Sequence, residues 1–137
     1  MLSTVEKVLF LKSIDLFSQI PGEDLAAIAL ISSEETRDQA DEIFAEGESG
    51  DALYLVIDGK VRVHKADRVI AELGERECFG EMAILDASPR SATVTAVEDS
   101  NLLKITREDF QEIMTEKPEI AQGIIKVLTR RLRDAIR

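Results

Sequence analysis

The sequence predicts a mainly β domain with helices before and after it, an α+β architecture. Short apolar or alternating runs separated by turn residues follow one another through the middle of the chain, and helical periodicity occupies both ends. No βαβ rhythm is present, so a barrel or sandwich is favoured. The 137 residues suit one domain, with N-terminal helices in 1–35, a β-roll in 36–105 and C-terminal helices in 106–137.

The N-terminal region carries two helical patterns. Apolar residues recur at three- and four-residue steps between Val5 and Lys12, which predicts a first helix. Pro21–Asp24 suits a turn into a second helix, with its acids near the positive end of the helix dipole. The second pattern resumes at Leu25, Ile28, Ala29 and Ile31.

A hairpin is the strongest local signal in the middle of the chain. The apolar run Leu53–Ile57 is followed by Asp58-Gly59 and then by the alternating run Val61–His64. An Asp-Gly pair between two such runs is typical of a tight β-turn. Further strands are predicted at Val69–Leu73, Ala92–Val97 and Leu102–Ile105.

The C-terminal region returns to helix. Thr106–Asp109 resembles a capping box with Asp in place of the usual Glu, and Pro118 suits the first position of the last helix. The apolar stripe of that helix is a core face, a dimer seam or a lid over a ligand, and the pattern does not separate the first two. Its members are Ile120, Ile124, Ile125, Leu128, Leu132 and Ala135.

Charge and composition exclude several classes of protein. Lys plus Arg is 17 and Asp plus Glu is 27, a formal net charge of −10, which disfavours binding of nucleic acid or anionic membranes by this chain alone. The single cysteine, the lack of an apolar run long enough for a membrane span and the lack of a secretory signal indicate a cytoplasmic protein. His64 has no metal-ligand neighbours at suitable spacing, and no nucleophile–base pair is recognisable. Neither a metal cofactor nor an enzyme is predicted.

Segment 79–94 holds the residues that suggest chemistry. Gly80 lets the backbone turn and approach a ligand closely. Met82–Leu85 can form one helical turn whose free N–H groups face a single anion. Pro89 fixes the chain just before Arg90, whose planar fork suits two phosphate oxygens.

Two neighbouring polar residues complete this set. Ser91 offers a hydroxyl donor beside Arg90, and the carboxylate of Glu81 can accept hydrogen bonds from sugar hydroxyls. Together the groups match a small ligand that carries one anionic phosphate and a free ribose hydroxyl. Such an anion must be held by local geometry, because the overall field of the chain is negative.

The spelling of segment 79–94 resembles the phosphate-binding cassette of the cyclic-nucleotide-binding domain family. The family includes protein kinase A regulatory subunits, the catabolite activator protein and cyclic-nucleotide-gated channels. Its pattern is Phe-Gly-Glu-x-Ala/Gly-x-Leu, a short spacer, then Pro-Arg-Ser/Thr/Ala-Ala-x-Val, and the chain matches each key position. The family's upstream pattern is matched from Ile43-Phe44-x-Glu46-Gly47-Glu48-x-Gly50-Asp51 to Val61-x-Val63, so the resemblance covers about residues 8–136.

The resemblance implies an eight-stranded jelly-roll barrel with N-terminal helices, a short cassette helix and C-terminal helices of the B/C type. It implies Arg90 on the cyclic phosphate and Glu81 on the ribose 2′-OH. The choice between cAMP and cGMP stays open at this point, because some cAMP binders also carry Ser at the position of Ser91, and cAMP is the ligand that we expect. Ser91 would help to hold the phosphate or, in some members, guanine. The expected ligand-binding residues are Gly80, Glu81, Met82, Ala83, Arg90, Ser91, Ala92 and Leu73.

Each of these residues also has a purely structural interpretation. Arg90 could form a surface ion pair, Glu81 could be a helix N-terminal acid and Ser91 could be a plain strand residue. Leu73 could contact the base or pack in the core. Cys78 could line the pocket, but a small buried apolar role is favoured for it.

The resemblance implies a regulatory sensor in which ligand binding moves the C-terminal helices, with a homodimer through the last helix as one arrangement. The alternatives are the regulatory domain of a larger transcription factor, channel, kinase or transporter, and a domain of this fold that has lost nucleotide binding and serves in docking or dimerisation.

Overall fold

The protein's structure is a computed structural model that describes residues 1–86 and 88–136, with the side chains of Met82 and Ala83 outside that description. It contains two compact units. The β unit is Ser32–Glu108, and the helical unit joins Met1–Ile31 to the chain from Asp109 onward. The expectation of one domain over residues 1–137 stays a prediction.

The β unit consists of two four-stranded antiparallel sheets. The predicted eight-stranded jelly roll with flanking helices is therefore confirmed. The strands are β1 Ser33–Arg37, β2 Glu42–Phe44, β3 Ala52–Asp58, β4 Val61–Lys65, β5 Arg68–Leu73, β6 Cys78–Phe79, β7 Thr93–Ala96 and β8 Ser100–Thr106. Their order is β1-β8-β3-β6 in one sheet and β2-β7-β4-β5 in the other.

The predicted hairpin is present, with β3 ending at Asp58 and β4 beginning at Val61. Gly59 has φ +99°, and a β-carbon there would collide with Ser100. Only glycine adopts this conformation readily, so the turn is specified locally. Strand β1 begins at Ser33, three residues before the expected start of the roll at 36, because its polar, partly exposed side chains give no hydrophobic signal.

One cluster of buried residues forms the interior of the β unit near the cavity described below. Alternate positions of β3 point into it, as expected for a strand with a period of two. Its aromatic members are Phe44, Tyr54 and Phe79, with the rings of Tyr54 and Phe79 stacked at a centroid distance of 5.2 Å. The remaining members are Ala52, Val56, Val61, Val94 and Leu102.

Helices α1 and α2 open the helical unit. Helix α1, Thr4–Lys12, begins at a capping box in which the Glu6 amide donates to the Ser3 hydroxyl and the Ser3 amide donates to the Glu6 carboxylate. The predicted repeat does not mark its inner face, because Leu11 is buried whereas Val5 and Leu9 are exposed. Helix α2, Gly22–Ile31, follows the 3-10 turn Asp15–Phe17 and buries the expected Leu25, Ile28 and Ala29.

Helix α4, Arg107–Glu116, follows β8 without a linker, and α5, Pro118–Ala135, begins at the predicted proline. The apolar stripe of α5 divides in two. Ile120 and Ile124 are buried together with Gly123 and Val127, where a β-carbon on Gly123 would lie 2.7 Å from the Gln19 carbonyl oxygen. Ile125, Leu128 and Leu132 are exposed. No helix of the described chain has the length and apolar character needed to cross a membrane.

Candidate functional site

A cavity of about 400 Å³ opens in the β unit and collects most of the predicted ligand residues. Its wall includes six of them: Leu73, Gly80, Glu81, Arg90, Ser91 and Ala92. Met82 and Ala83 form the backbone at the start of the short helix α3, Met82–Leu85, and their side chains lie outside the description. Leu73 and Ala92 thus line the same cavity although they are 19 positions apart in the sequence.

Arg90 is the most unusual side chain in the cavity wall, with only 7% of its surface exposed. Its Nη2 donates to the Ala52 carbonyl oxygen at 2.9 Å, and Nη1 donates to the Gly80 carbonyl oxygen at 3.5 Å. Its Cζ lies 3.9 Å from the centroid of the Phe44 ring. Nε is buried and has no hydrogen-bond partner within residues 1–86 and 88–136.

The charge of Arg90 is only partly balanced by the described residues around it. No carboxylate of the described chain forms an ion pair with it, so the interpretation as a surface ion pair is wrong. Burial lowers the pKa of the Arg90 guanidinium, and the more distant Tyr54, Asp51 and Glu48 partly oppose that shift. Arginine keeps its proton in proteins, so this is a buried positive charge without a counter-charge.

Gly80 creates the room that Arg90 occupies. Its φ is +79°, and a β-carbon there would lie 2.6 Å from Arg90 Nη1 and 3.0 Å from the Ala52 carbonyl oxygen. Any larger residue would be strained in backbone and would displace the guanidinium. The expected close approach of a ligand to Gly80 stays a prediction, and the group that approaches it in the structure is Arg90.

The backbone of Arg90 is tied to the loop between β2 and β3. The Gly47 amide donates to the Arg90 carbonyl oxygen at 2.8 Å, and the Arg90 amide donates to the Glu48 carbonyl oxygen at 2.8 Å. Gly47 has φ +88°, and an isolated bridge pairs Ser49 with Pro89. The upstream Glu46-Gly47-Glu48 motif therefore positions the arginine.

The other predicted residues differ in burial. Ala92 is buried, Glu81 and Leu73 are half-buried, and Ser91 is exposed at the rim. Glu81 directly precedes α3 and its carbonyl oxygen accepts from the Ile84 amide at 3.3 Å, while its side chain lines the cavity. Leu73 both lines the cavity and packs against the core cluster, so its two interpretations hold together.

Sequence reasoning missed more than half of the wall. Cys78 was expected to be a small buried core residue, but it is half-buried and lines the cavity, because β6 lies at a sheet edge. The alternation of β4 and β7 could have indicated Val63 and Val94. The missed wall residues are Phe44, Val63, Cys78, Phe79, Ser88, Pro89 and Val94.

The titratable groups away from the cavity form no metal centre among the described residues. His64 is half-buried in β4, with Nδ1 3.0 Å from the Ala66 carbonyl oxygen and Nε2 3.0 Å from Thr95 Oγ1. Across the described residues, no three His, Cys, Asp or Glu side chains are grouped closely enough to hold a metal ion. The cavity is therefore the site on which a function can be argued.

Comparison with known families agrees with this geometry. The family model described as "Cyclic nucleotide-binding domain" matches residues 20–117. The cyclic AMP receptor protein of Thermus thermophilus is 44% identical over 102 residues, which are 71% of this chain and 47% of that protein. A CRP-like cAMP-activated global transcriptional regulator of Mycobacterium tuberculosis is 33% identical over 66% of this chain and 43% of its own length. The chain thus spans about half the length of the curated relatives it matches.

Solved structures give the same result at the level of the fold. The N-terminal domain of a transcriptional regulator from Streptomyces coelicolor superposes with a TM-score of 0.83 at 34% identity, covering 92% of both chains. The regulatory domain of Toxoplasma gondii PKA with cAMP gives 0.76 at 31% identity, covering 80% of this chain and 44% of that one. The two curated relatives described above are named as a cyclic AMP receptor and a transcriptional regulator, in agreement with a regulatory rather than an enzymatic module. The chain belongs to the cyclic nucleotide-binding domain family.

Proposed function

We propose that this domain binds cAMP in the cavity of the β unit, with Arg90 on the cyclic phosphate and Glu81 on the ribose 2′-OH. Gly80, the backbone of Met82 and Ala83, Ser91 and Ala92 would surround the phosphate and ribose, and Leu73 would contact the base. The observation that carries the proposal is the buried guanidinium of Arg90, which has no carboxylate partner in the described chain.

The chemistry of that guanidinium selects an anion. Burying a charge without a partner costs several kcal/mol of desolvation free energy. A tightly held ion of opposite charge offsets about that amount. Two of the five N–H groups of the guanidinium donate to carbonyl oxygens and Nε is unsatisfied, so donors remain for phosphate oxygens. A cyclic monophosphate supplies one negative charge with two exocyclic oxygens, and its ribose supplies the hydroxyl for Glu81.

The preference for cAMP over cGMP rests on the relatives. The proteins at 44% and 33% identity carry cAMP in their names, and the Toxoplasma gondii domain is described with cAMP. Ser91 is the residue through which guanine would gain a hydrogen bond, since its hydroxyl is exposed at the cavity rim. Comparing cAMP and cGMP affinities in the natural domain and in Ser91→Ala measures that contribution.

We further propose that ligand binding is passed to α4 through the first residues of β3. The Ala52 carbonyl oxygen accepts from Arg90, and the adjacent Asp51 carbonyl oxygen accepts from the amide of Arg107 at 2.8 Å. Arg107 is the first residue of α4. A phosphate that draws Arg90 away from the Ala52 carbonyl oxygen would thus free the residue next to Asp51, whose carbonyl oxygen holds the amide at the start of α4. Binding would then favour one helix arrangement over another.

Calorimetric titration with cAMP, cGMP and 5′-AMP tests the proposal. We expect saturable binding of cAMP, weaker binding of cGMP and little binding of 5′-AMP. Arg90→Lys keeps the charge but loses the planar fork, so we expect about tenfold weaker cAMP binding or more. Absence of cyclic-nucleotide binding to the folded natural domain would reject the proposed function.

Arg62 supplies the matched control. It lies in the same unit, pairs with Glu72 at 2.7 Å with a half-exposed side chain and is outside the cavity wall. Arg62→Lys makes the same chemical change where no ligand contact is expected, so its cAMP affinity should stay within about twofold of the natural domain.

A homodimer through α5 is a second proposal, carried by the exposed apolar residues on that helix. Leu128 and Leu132 are 36% and 65% exposed, and they follow the buried Ile124 by four and eight residues along the same stripe of the helix. We expect sedimentation equilibrium to detect a dimer that Leu132→Asp dissociates. Leu30→Asp, at another exposed leucine of the helical unit, is the control and should leave the association unchanged.

The regulated output is also a proposal. The two curated relatives are named as a cAMP receptor and a transcriptional regulator, so control of transcription is the first output to test. DNA binding by the complete gene product should then depend on cAMP. The 137 residues alone, with their net charge of −10, should not bind DNA.

A further inference from the structure

The side chain that contacts the face of Arg90 is an aromatic ring. The guanidinium carbon Cζ lies 3.9 Å from the centroid of Phe44, within the distance at which a cation is attracted to the negative face of a ring. Phe44 is 9% exposed and packs against Phe79 at a centroid distance of 5.9 Å. The ring is therefore held in place independently of the arginine.

Carboxylates are plentiful in this chain, yet among residues 1–86 and 88–136 none forms an ion pair with Arg90. Asp plus Glu number 27, and Glu48 and Asp51 act on the guanidinium electrostatically from the loop between β2 and β3. An ion pair with either acid would neutralise the charge and would have to be broken before a phosphate could bind. A neutral ring attracts the cation without cancelling its charge.

We infer that Phe44 is a positioning residue, which holds the Arg90 guanidinium in the cavity as an unpaired cation ready for an anionic ligand. The inference rests on the proposed function for its ligand, and on the ring contact and the missing ion pair for its geometry. Phe44 occupies the face of the guanidinium, Ala52 and Gly80 take one N–H each, and the remaining edge serves the phosphate.

Three substitutions separate positioning from general core packing. Phe44→Leu keeps an apolar side chain but removes the ring face, and Phe44→Tyr keeps the face. Tyr54→Leu removes another ring of the same cluster, buried to a similar degree and outside the cavity wall, and it measures the effect of core damage alone.

We expect Phe44→Leu to weaken cAMP binding about tenfold, which corresponds to about 1.4 kcal/mol. Phe44→Tyr should stay within about threefold of the natural domain. Tyr54→Leu should lower the melting temperature at least as much as Phe44→Leu with a smaller loss of affinity. Equal losses of affinity in Phe44→Leu and Tyr54→Leu, or no rescue by Phe44→Tyr, would overturn the inference.

The ligand-free protein offers a second readout. The NMR signal of the Arg90 Nε–H group, assigned by its absence in Arg90→Lys, should be shifted by the ring current of Phe44. We expect that shift to persist in Tyr54→Leu and Phe44→Tyr and to vanish in Phe44→Leu, and an unchanged signal in Phe44→Leu would also overturn the inference. If the signals behave as expected but the natural domain binds no cyclic nucleotide, the proposed function fails while the positioning by Phe44 stands.

Discussion

Arginines of the two units lie in opposite surroundings. In the β unit, Arg90 is 7% exposed and contacts two carbonyl oxygens and a ring, with no carboxylate partner in the described chain. In the helical unit, Arg130 and Arg131 on α5 both pair with Asp15, and their side chains are 45% and 42% exposed.

The difference separates a charge that stabilises the fold from a charge kept for something else. Exposed pairs such as those of Asp15 are common and contribute about 0.2–1 kcal/mol each. A buried cation without a counter-charge costs stability, and the surrounding structure must hold it in place.

Removing the buried cation should affect binding far more than folding. In the proposed complex Arg90 donates at least two charge-assisted hydrogen bonds to the phosphate, so we expect Arg90→Ala to lower cAMP affinity by about a hundredfold or more. The free energy of unfolding should change by less than about 1 kcal/mol, because relief of desolvation offsets the lost packing. Titration calorimetry and chemical denaturation measure the two quantities, and a large loss of stability with unchanged affinity would reverse the assignment.

Filling the space beside Arg90 should lower both the stability of the domain and its affinity for cAMP. Gly80→Ala places a β-carbon 2.6 Å from Arg90 Nη1 at a φ of +79°, so we expect a loss of about 1–3 kcal/mol in stability and at least about tenfold in cAMP affinity. Gly22→Ala is the matched control, because a β-carbon there meets nothing within 4 Å. The control should leave the free energy of unfolding and the free energy of cAMP binding each within about 1 kcal/mol of the natural domain.

Removing the exposed ion pairs of Asp15 should give the smallest change in stability, and that change should depend on pH. Arg131, followed by Arg130, lowers the pKa of the Asp15 carboxyl from its ordinary value of 3.8. A lowered folded-state pKa means that the stabilisation is present above about pH 3.8 and is lost as the pH falls through the folded-state value.

Asp15→Asn should therefore lower stability by no more than about 1 kcal/mol at pH 7, since the pair is largely screened by solvent. The difference in the free energy of unfolding between the natural protein and this variant should become smaller when the pH falls below the ordinary carboxyl pKa. Denaturation curves at pH 7 and pH 3 measure that difference, and a difference that widens on acidification would contradict the ion-pair interpretation.

The sequence predicted the fold well where local chemistry decides it. Asp58-Gly59 specified a hairpin, and Pro118 specified a helix start, because each requires only its own backbone conformation. It failed on α1, where tertiary packing buries Leu11 and leaves Val5 exposed although both fit a helix. Local periodicity does not state which side of a short helix meets the rest of the protein.

At the site, the cassette motif predicted residues of the cavity wall but not the residues that support Arg90. Six of the eight expected residues line the cavity. Phe44 was visible in the upstream motif, yet its contact with Arg90 joins residues 46 positions apart and depends on how β2 folds over the cavity. Cys78 was misassigned because a two-residue edge strand carries no alternation from which an inward face can be read.

The burial of Arg90 has a consequence for how quickly a nucleotide enters and leaves. A monoanionic ligand approaches a surface with a net charge of −10, so added salt should speed its association by screening that repulsion. Once bound, the phosphate contacts a cation that is shielded from mobile ions, so the dissociation rate should hardly respond to salt. Affinity would then rise with ionic strength, the reverse of the behaviour of anion sites built from exposed lysines.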